Sequence, residues 1–220
     1  MRLTRPLSLV IVVGALALPQ AAQAMELTPL KPCFVSVDEE TREPVPVEGS
    51  GFTPGSLVDV ALDGVVVQTV QVLPDGTVSG RVPAPHQERG EREFVLTLTE
   101  RDRPETTVST SSRVTALSLR MVPRVASPRR RVRFVGRGFT DDQPVYGHYV
   151  RRGELRKTVR FGRPWGPCGR FSVKRRQIPV RRPRVGRWTL QADHHREYNA
   201  EPESLAVRLA ITVRRVVRSP

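Results

Sequence analysis

The chain has 220 residues, 38% hydrophobic, 5% aromatic and 26% charged, with 20 prolines, 16 glycines and two cysteines. That length holds one or two domains of about 100 residues each, and its short Val- and Leu-rich apolar stretches lack the helical period that a bundle needs. The formal charge of +14 is unevenly spread: residues 25–123 carry 9 Lys/Arg and 15 Asp/Glu (−6), residues 124–220 carry 25 and 7 (+18), and the first 24 add +2.

The chain begins "MRLTRPLSLVIVVGALALPQAAQA". Arg2 and Arg5 precede an apolar run from Leu7 to Leu18, and Ala22-Gln23-Ala24 is the small-x-small pattern of a cleavage site. These features predict a signal peptide over residues 1–24. The run is shorter than the roughly 20 residues of a spanning helix. No cysteine stands at the cleavage point and no second long apolar run follows, so the sequence predicts a secreted, extracellular chain without a lipid or integral membrane anchor. In an oxidising compartment Cys33 and Cys168 are expected to pair.

From Val45 to Leu62 the chain reads "VPVEGSGFTPGSLVDVAL", and from Val132 to Val150 "VRFVGRGFTDDQPVYGHYV". Both carry Gly-x-Gly-Phe-Thr, at Gly49–Thr53 and Gly136–Thr140, between alternating apolar residues. Alternation predicts half-buried strands, glycines where a strand ends allow positive φ or a bulge, and Phe52 and Phe139 are expected to fold into the core. Asp63-Gly64 and Arg152-Gly153 then predict two-residue hairpin turns. Next, "LPDGTVSGRVPAP" matches "GPCGRFSVKRRQIP", with Pro74-Asp75-Gly76 over Pro167-Cys168-Gly169. Cys168 is therefore expected on an exposed turn. "GEREFVLTLTE" matches "VGRWTLQADH", with Phe94 and Trp188 as core aromatics, and closing strands are expected over Ser111–Met121 and Leu205–Val217.

About seven short strands per copy, with turn signals every 8–12 residues, predict an all-β protein of two tandem β-sandwiches. The boundary is placed in Arg120–Arg131, dividing an acidic domain (25–122) from a basic one (123–220).

The phrase G-x-GFTPGS-x-V-x-V, over Val45–Val60 and more faintly Val132–Val145, resembles bacterial immunoglobulin-like domains. It is also similar to the early strands of neocarzinostatin-type domains of actinobacterial secreted proteins. The resemblance implies a secreted actinobacterial protein with two immunoglobulin-like domains, and by the second likeness a small-ligand carrier as an alternative. One cysteine per half departs from the intradomain disulfides of that carrier type.

The basic residues fall in runs. Ser127–Arg133 holds Arg129, Arg130, Arg131 and Arg133; Val150–Arg160 holds Arg156, Lys157 and Arg160; Val173–Trp188 holds Lys174, Arg175, Arg176, Arg181, Arg182 and Arg184; the tail from Val213 adds more. Arg131 and Arg133 flank Val132 and so share a strand face, as do Arg156 and Arg160. The guanidinium fork suits phosphate and carboxylate, and a half with net +18 attracts polyanions. These thirteen residues are the candidate anion-binding set; a solvated face, or docking onto the acidic half, is the competing expectation. No nucleic-acid-binding signature is present, and secretion argues against that partner.

Ala192–Tyr198 offers Asp193, His194, His195 and Glu197, but adjacent histidines on a strand point opposite ways. The stretch reads as a polar hairpin tip over residues 192–202. Asp141-Asp142 lacks the oxygen-rich pattern of a calcium loop and reads as a turn. The sequence has no G-x-S-x-G, H-E-x-x-H or C-x-x-C, so no catalytic residue, metal or cofactor is expected. The sequence thus predicts a secreted, non-catalytic binding or adaptor protein at the cell envelope, with an anionic cell-wall polymer or a protein as partner. The alternatives are the small-ligand carrier, marked by an apolar cleft, and an enzyme of unrecognised type, marked by a titratable cluster in a pocket.

Overall fold

The computed structural model describes residues 24–202 and 205–214. The expected leader lies outside them apart from Ala24, as does the tail beyond Arg214. Every element among the described residues is a strand. In chain order these are β1 (Glu26–Leu27), β2 (Phe34–Ser36), β3 (Pro44–Ser50), β4 (Leu57–Leu62), β5 (Val65–Gln71), β6 (Val78–Pro83), β7 (Glu91–Glu100) and β8 (Arg103–Ala116). The second half supplies β9 (Ser118–Val122), β10 (Arg131–Arg137), β11 (Val145–Arg151), β12 (Glu154–Gly162), β13 (Phe171–Arg176), β14 (Gly186–Asp193) and β15 (Val207–Val213).

They form four sheets, in the orders β1-β3-β6, β2-β8-β7-β4-β5, β9-β10-β13 and β12-β11-β14-β15. All pairings are antiparallel except β2 on β8, which is parallel. Alternation places the cores. On β7, Phe94, Leu96 and Leu98 are buried between neighbours that face outward, each contributing about 1.5–3 kcal/mol by leaving water. One core joins Val45, Val47 and Val82 of the first sheet to Val58, Phe94 and Val114 of the second. The other joins Phe134 and Phe171 to Tyr149, Phe161, Trp188 and Ile211. A three-stranded sheet facing one in which a hairpin (β4–β5, then β11–β12) pairs beside the last two strands of its copy is an immunoglobulin-like order. It occurs twice, with β3 to β8 repeated as β10 to β15.

The two-residue turns form as expected, with positive φ at Asp63 and Gly64 and at Arg152 and Gly153. The closing strand expected over Ser111–Met121 is two strands instead. β8 stops at Ala116; β9 pairs with β10, and its Leu119 and Met121 lie in the second core. The chain therefore changes core at Leu117, within the segment assigned above to the acidic half.

The repeated phrase closes β3 and β10. Its first glycine makes room for a ring: a Cβ on Gly49 would lie 3.1 Å from the Phe52 ring, and one on Gly136 2.1 Å from the Phe171 ring. Its second glycine is left-handed, with φ +83° at Gly51 and +85° at Gly138, a conformation that disfavours any residue with a Cβ. The phenylalanine is then buried, and its N–H donates to a turn glycine carbonyl, Phe52 to Gly76 and Phe139 to Gly169, both at 3.1 Å. Thr53 donates its N–H (2.6 Å) and hydroxyl (3.2 Å) to the buried Glu100 carboxylate.

Cys33 and Cys168 form a disulfide with a Cα–Cα distance of 5.2 Å, joining the segment before β2 to the turn before β13. Cys168 stands on the expected turn but is 1% exposed; the bridge and the apposed halves cover it. Beside it Arg170 grips both carboxylate oxygens of Glu91, which also accepts from Arg113 at 3.4 Å. The cation that meets the acidic half here is thus outside the thirteen candidates.

Candidate anion-binding face

Register, rather than sequence proximity, assembles the cations. On the outer face of β9-β10-β13, Arg131 stands opposite Arg176 and Arg133 opposite Lys174. Val135, next along this face, stands opposite Arg120 of β9. Alternate residues on a strand lie about 6.8 Å apart and neighbouring strands about 4.8 Å apart. Five cationic side chains, Arg120, Arg131, Arg133, Lys174 and Arg176, therefore share one exposed patch. A depression of about 590 Å³ lies among Arg120, Arg131, Arg133 and Lys174, floored by Val122 and Val135.

Arg129 and Arg130 extend the patch at one end. They are exposed on the turn before β10, where Arg130 N–H donates to Ser127 O at 2.9 Å and Gln177 N–H to Arg130 O at 2.9 Å. Arg175 does not join it. It stands opposite Val132 on the core-facing side, and its guanidinium turns to the carbonyls of Lys174 (3.0 Å) and Arg160 (3.5 Å). Arg156, Lys157 and Arg160 lie on β12 of the opposite sheet, with Arg156 paired to Glu154. Arg181, Arg182 and Arg184 are exposed on the loop between β13 and β14. The candidates thus divide among several surfaces. Arg120 escaped the sequence reading because it precedes the expected boundary; its alternation with Leu119 and Met121 was the available signal.

The patch carries an electrostatic cost. Like charges directly opposite across strands are unfavourable by roughly 0.2–1 kcal/mol per pair, and Arg131–Arg176 and Arg133–Lys174 are two such pairs side by side. A bound polyanion would relieve both.

The opposite sheet carries a buried polar cluster. His148 Nε2 lies 3.2 Å from Asp193 Oδ1 and 3.0 Å from His195 O, two acceptors, so that nitrogen carries a proton, and Nδ1 lies 3.0 Å from the Thr158 hydroxyl. Gln191 Nε2 donates to Asp193 Oδ2 (2.9 Å) and Asn199 O (2.8 Å), and Arg208 Nε donates to Gln191 Oε1 (3.1 Å). These bonds tie residues 195–200 onto the sheet. Asp193, expected on a polar hairpin tip, is 1% exposed, because it ends β14 beneath that segment.

Burial raises the Asp193 pKa, but bonds from His148, Gln191 and the His195 N–H outweigh it and hold the carboxyl below its ordinary 3.8. A depressed acid stabilises the fold above its unfolded pKa, and that contribution is lost as pH falls through the folded value. Asp193→Asn should lower stability near neutral pH by about 1–3 kcal/mol and flatten the loss of stability below about pH 4. Urea unfolding of both proteins across the acid range measures this; an unchanged acid slope would remove Asp193 from the account.

Other depressions lie away from this face. One of about 490 Å³ is lined by Tyr146, Thr158, Arg160 and Arg196. One of about 720 Å³, where the halves meet, mixes Arg42, Glu43, Asp141 and Arg208 with Val37 and Pro44.

No family model matches the chain. No curated protein matches it either. Among solved structures, the human OSCAR ligand-binding domain is similar at 12% identity over 86% of this chain and 96% of that one, with a TM-score of 0.32. Bovine butyrophilin is similar at 10% identity over 87% of this chain and 100% of that one, with a TM-score of 0.30. A β-glucuronidase of Parabacteroides merdae is similar at 10% identity and a TM-score of 0.28; 82% of this chain is covered, but only 24% of the glucuronidase. These likenesses assign no activity or ligand.

Proposed function

We propose that this chain is a secreted, non-catalytic binding protein that holds an anionic polymer of the bacterial cell envelope on the outer face of β9-β10-β13. The observation that carries the reading is the pair of like-charged cross-strand contacts, Arg131–Arg176 and Arg133–Lys174, with Arg120 beside them. The guanidinium and ammonium groups suit phosphodiester or carboxylate charges. The apolar leader and cleavage pattern of residues 1–24 support secretion. The disulfide is compatible with it, and no helix of the described residues is long and apolar enough to cross a membrane.

The test is binding of the chain from Met25 to purified cell walls, with and without their teichoic acid, across a salt series. Binding should fall with rising salt and with removal of the anionic polymer. Arg133→Glu with Lys174→Glu should weaken it at least tenfold. Lys174→Glu alone should also stabilise the unbound protein by up to about 1 kcal/mol, since it turns a repulsive pair into an attractive one. Binding that survives the double reversal would overturn the reading.

A further inference from the structure

Two rows of side chains cross the outer face of β12-β11-β14-β15. One runs Thr158, His148, Gln191, Arg208; the next runs Arg160, Tyr146, Asp193. Alternation puts both rows on the side away from the core, where Tyr149, Leu190 and Ala192 pack. His148, Gln191 and Asp193 are nonetheless buried, because residues 194–200 lie over them. That segment is fixed at several points. His195 O meets His148, Asn199 O accepts from Gln191, Ala200 O accepts from Arg208, and the Tyr198 ring packs 5.7 Å from that of His148. Toward β12 the cover ends: Thr158 is half-buried and Arg160 exposed. There lies the depression of about 490 Å³ lined by Tyr146, Thr158, Arg160 and Arg196.

We infer that this depression is a second binding site, for the phosphate group of a small phosphorylated sugar or polyol. The lining selects that occupant. It holds two guanidinium groups, two hydroxyls and no carboxylate. The acid in the neighbouring row, Asp193, already accepts from His148, Gln191 and the His195 N–H. Arg160 and Arg196 stand on separate segments and can reach one group from two sides, which suits the three free oxygens of a phosphate better than the two of a carboxylate. The site is also built in advance. Arg196 is carried on the fixed segment, and the 3.0 Å contact with buried His148 holds the Thr158 hydroxyl in one rotamer, so little freedom is lost on binding. The volume falls within the roughly 300–1,000 Å³ of small-molecule sites. It leaves room beside the phosphate for a sugar or polyol, whose hydroxyls meet Tyr146 and Thr158. The site does not depend on the anion face, which lies on the other sheet.

The test is titration of the full mature chain with glycerol 3-phosphate, and separately with acetate, followed by calorimetry and by backbone amide shifts. Arg160→Gln with Arg196→Gln is run beside it; both arginines are exposed, so the pair leaves the core intact. One glycerol phosphate should bind per chain and shift the amides around Tyr146 and Arg160, and acetate should bind at least tenfold more weakly. The double substitution should weaken glycerol phosphate at least tenfold. Arg133→Glu with Lys174→Glu, which tests the anion face, should change it by less than about twofold, because those charges lie beyond a Debye screening length on the other sheet. The absence of saturable binding overturns the proposal, as does binding that the Arg160 and Arg196 substitutions leave intact. Acetate binding as tightly as glycerol phosphate overturns the choice of phosphate. Loss of binding on the Arg133 and Lys174 reversal alone would put the phosphate on the anion face and overturn it too.

Discussion

Cys33→Ala with Cys168→Ala should cost the protein about 5 kcal/mol of stability, the chain-entropy value for so long a closed loop. The bridge spans a sequence separation of 135, so it removes much of the freedom of the unfolded chain. The dependence on loop length is logarithmic, and the figure changes little if the first sandwich unfolds before the second. Both cysteines are 1% exposed, so the lost packing adds to the effect. Urea unfolding measures the loss directly. The midpoint should fall and the slope steepen, because the uncrosslinked denatured chain exposes more surface. Reduction of the native protein should reproduce the result. A loss below about 1 kcal/mol would mean that the denatured chain keeps the two cysteines close without the bond.

Gly169→Ala should be nearly as damaging, at about 3 kcal/mol or more. Gly169 has φ +55°, and an added Cβ would lie 1.9 Å from the carbonyl oxygen of Phe139. That oxygen is backbone and cannot swing away. The same glycine accepts the Phe139 N–H and follows Cys168, so a shift here disturbs the repeated corner and the bridge together. Its counterpart provides the control. At Gly76, with φ +78°, the added Cβ would lie 3.0 Å from Phe52 O, and Gly76→Ala should cost about 1–2 kcal/mol, mainly from the left-handed backbone. Equal losses at the two positions, measured by thermal or urea unfolding, would refute the steric account.

The two glycines share a sequence context and differ in clearance, which shows where sequence reading stops. Gly-x-Gly-Phe-Thr marked the corner, and Phe52 and Phe139 are buried as their positions predicted. The sequence did not reveal that Phe171, from a different strand, packs its ring against Gly136. The anion face has the same character. Arg131 and Arg133 were expected on one face from their spacing alone. Their partners Arg176 and Lys174 come from a strand some forty residues on by the register, and Arg120 from one that the expected boundary had assigned to the other half. Arg175, which looks no different in the run "VKRRQ", turns away because its position falls on the core side of β13.

What the sequence by itself determined was local: strands from period-two alternation, hairpins from Asp63-Gly64 and Arg152-Gly153, and a duplicated all-β architecture from the recurring corner. Each follows from steric rules acting over a few neighbouring residues. The tertiary structure decided which cations meet, that Cys168 and Asp193 are buried, and that the chain changes core at Leu117. These depend on cross-strand register and on which sheet covers which face. Both are set by contacts between segments far apart in the chain, where the order of residues carries no direct record of distance.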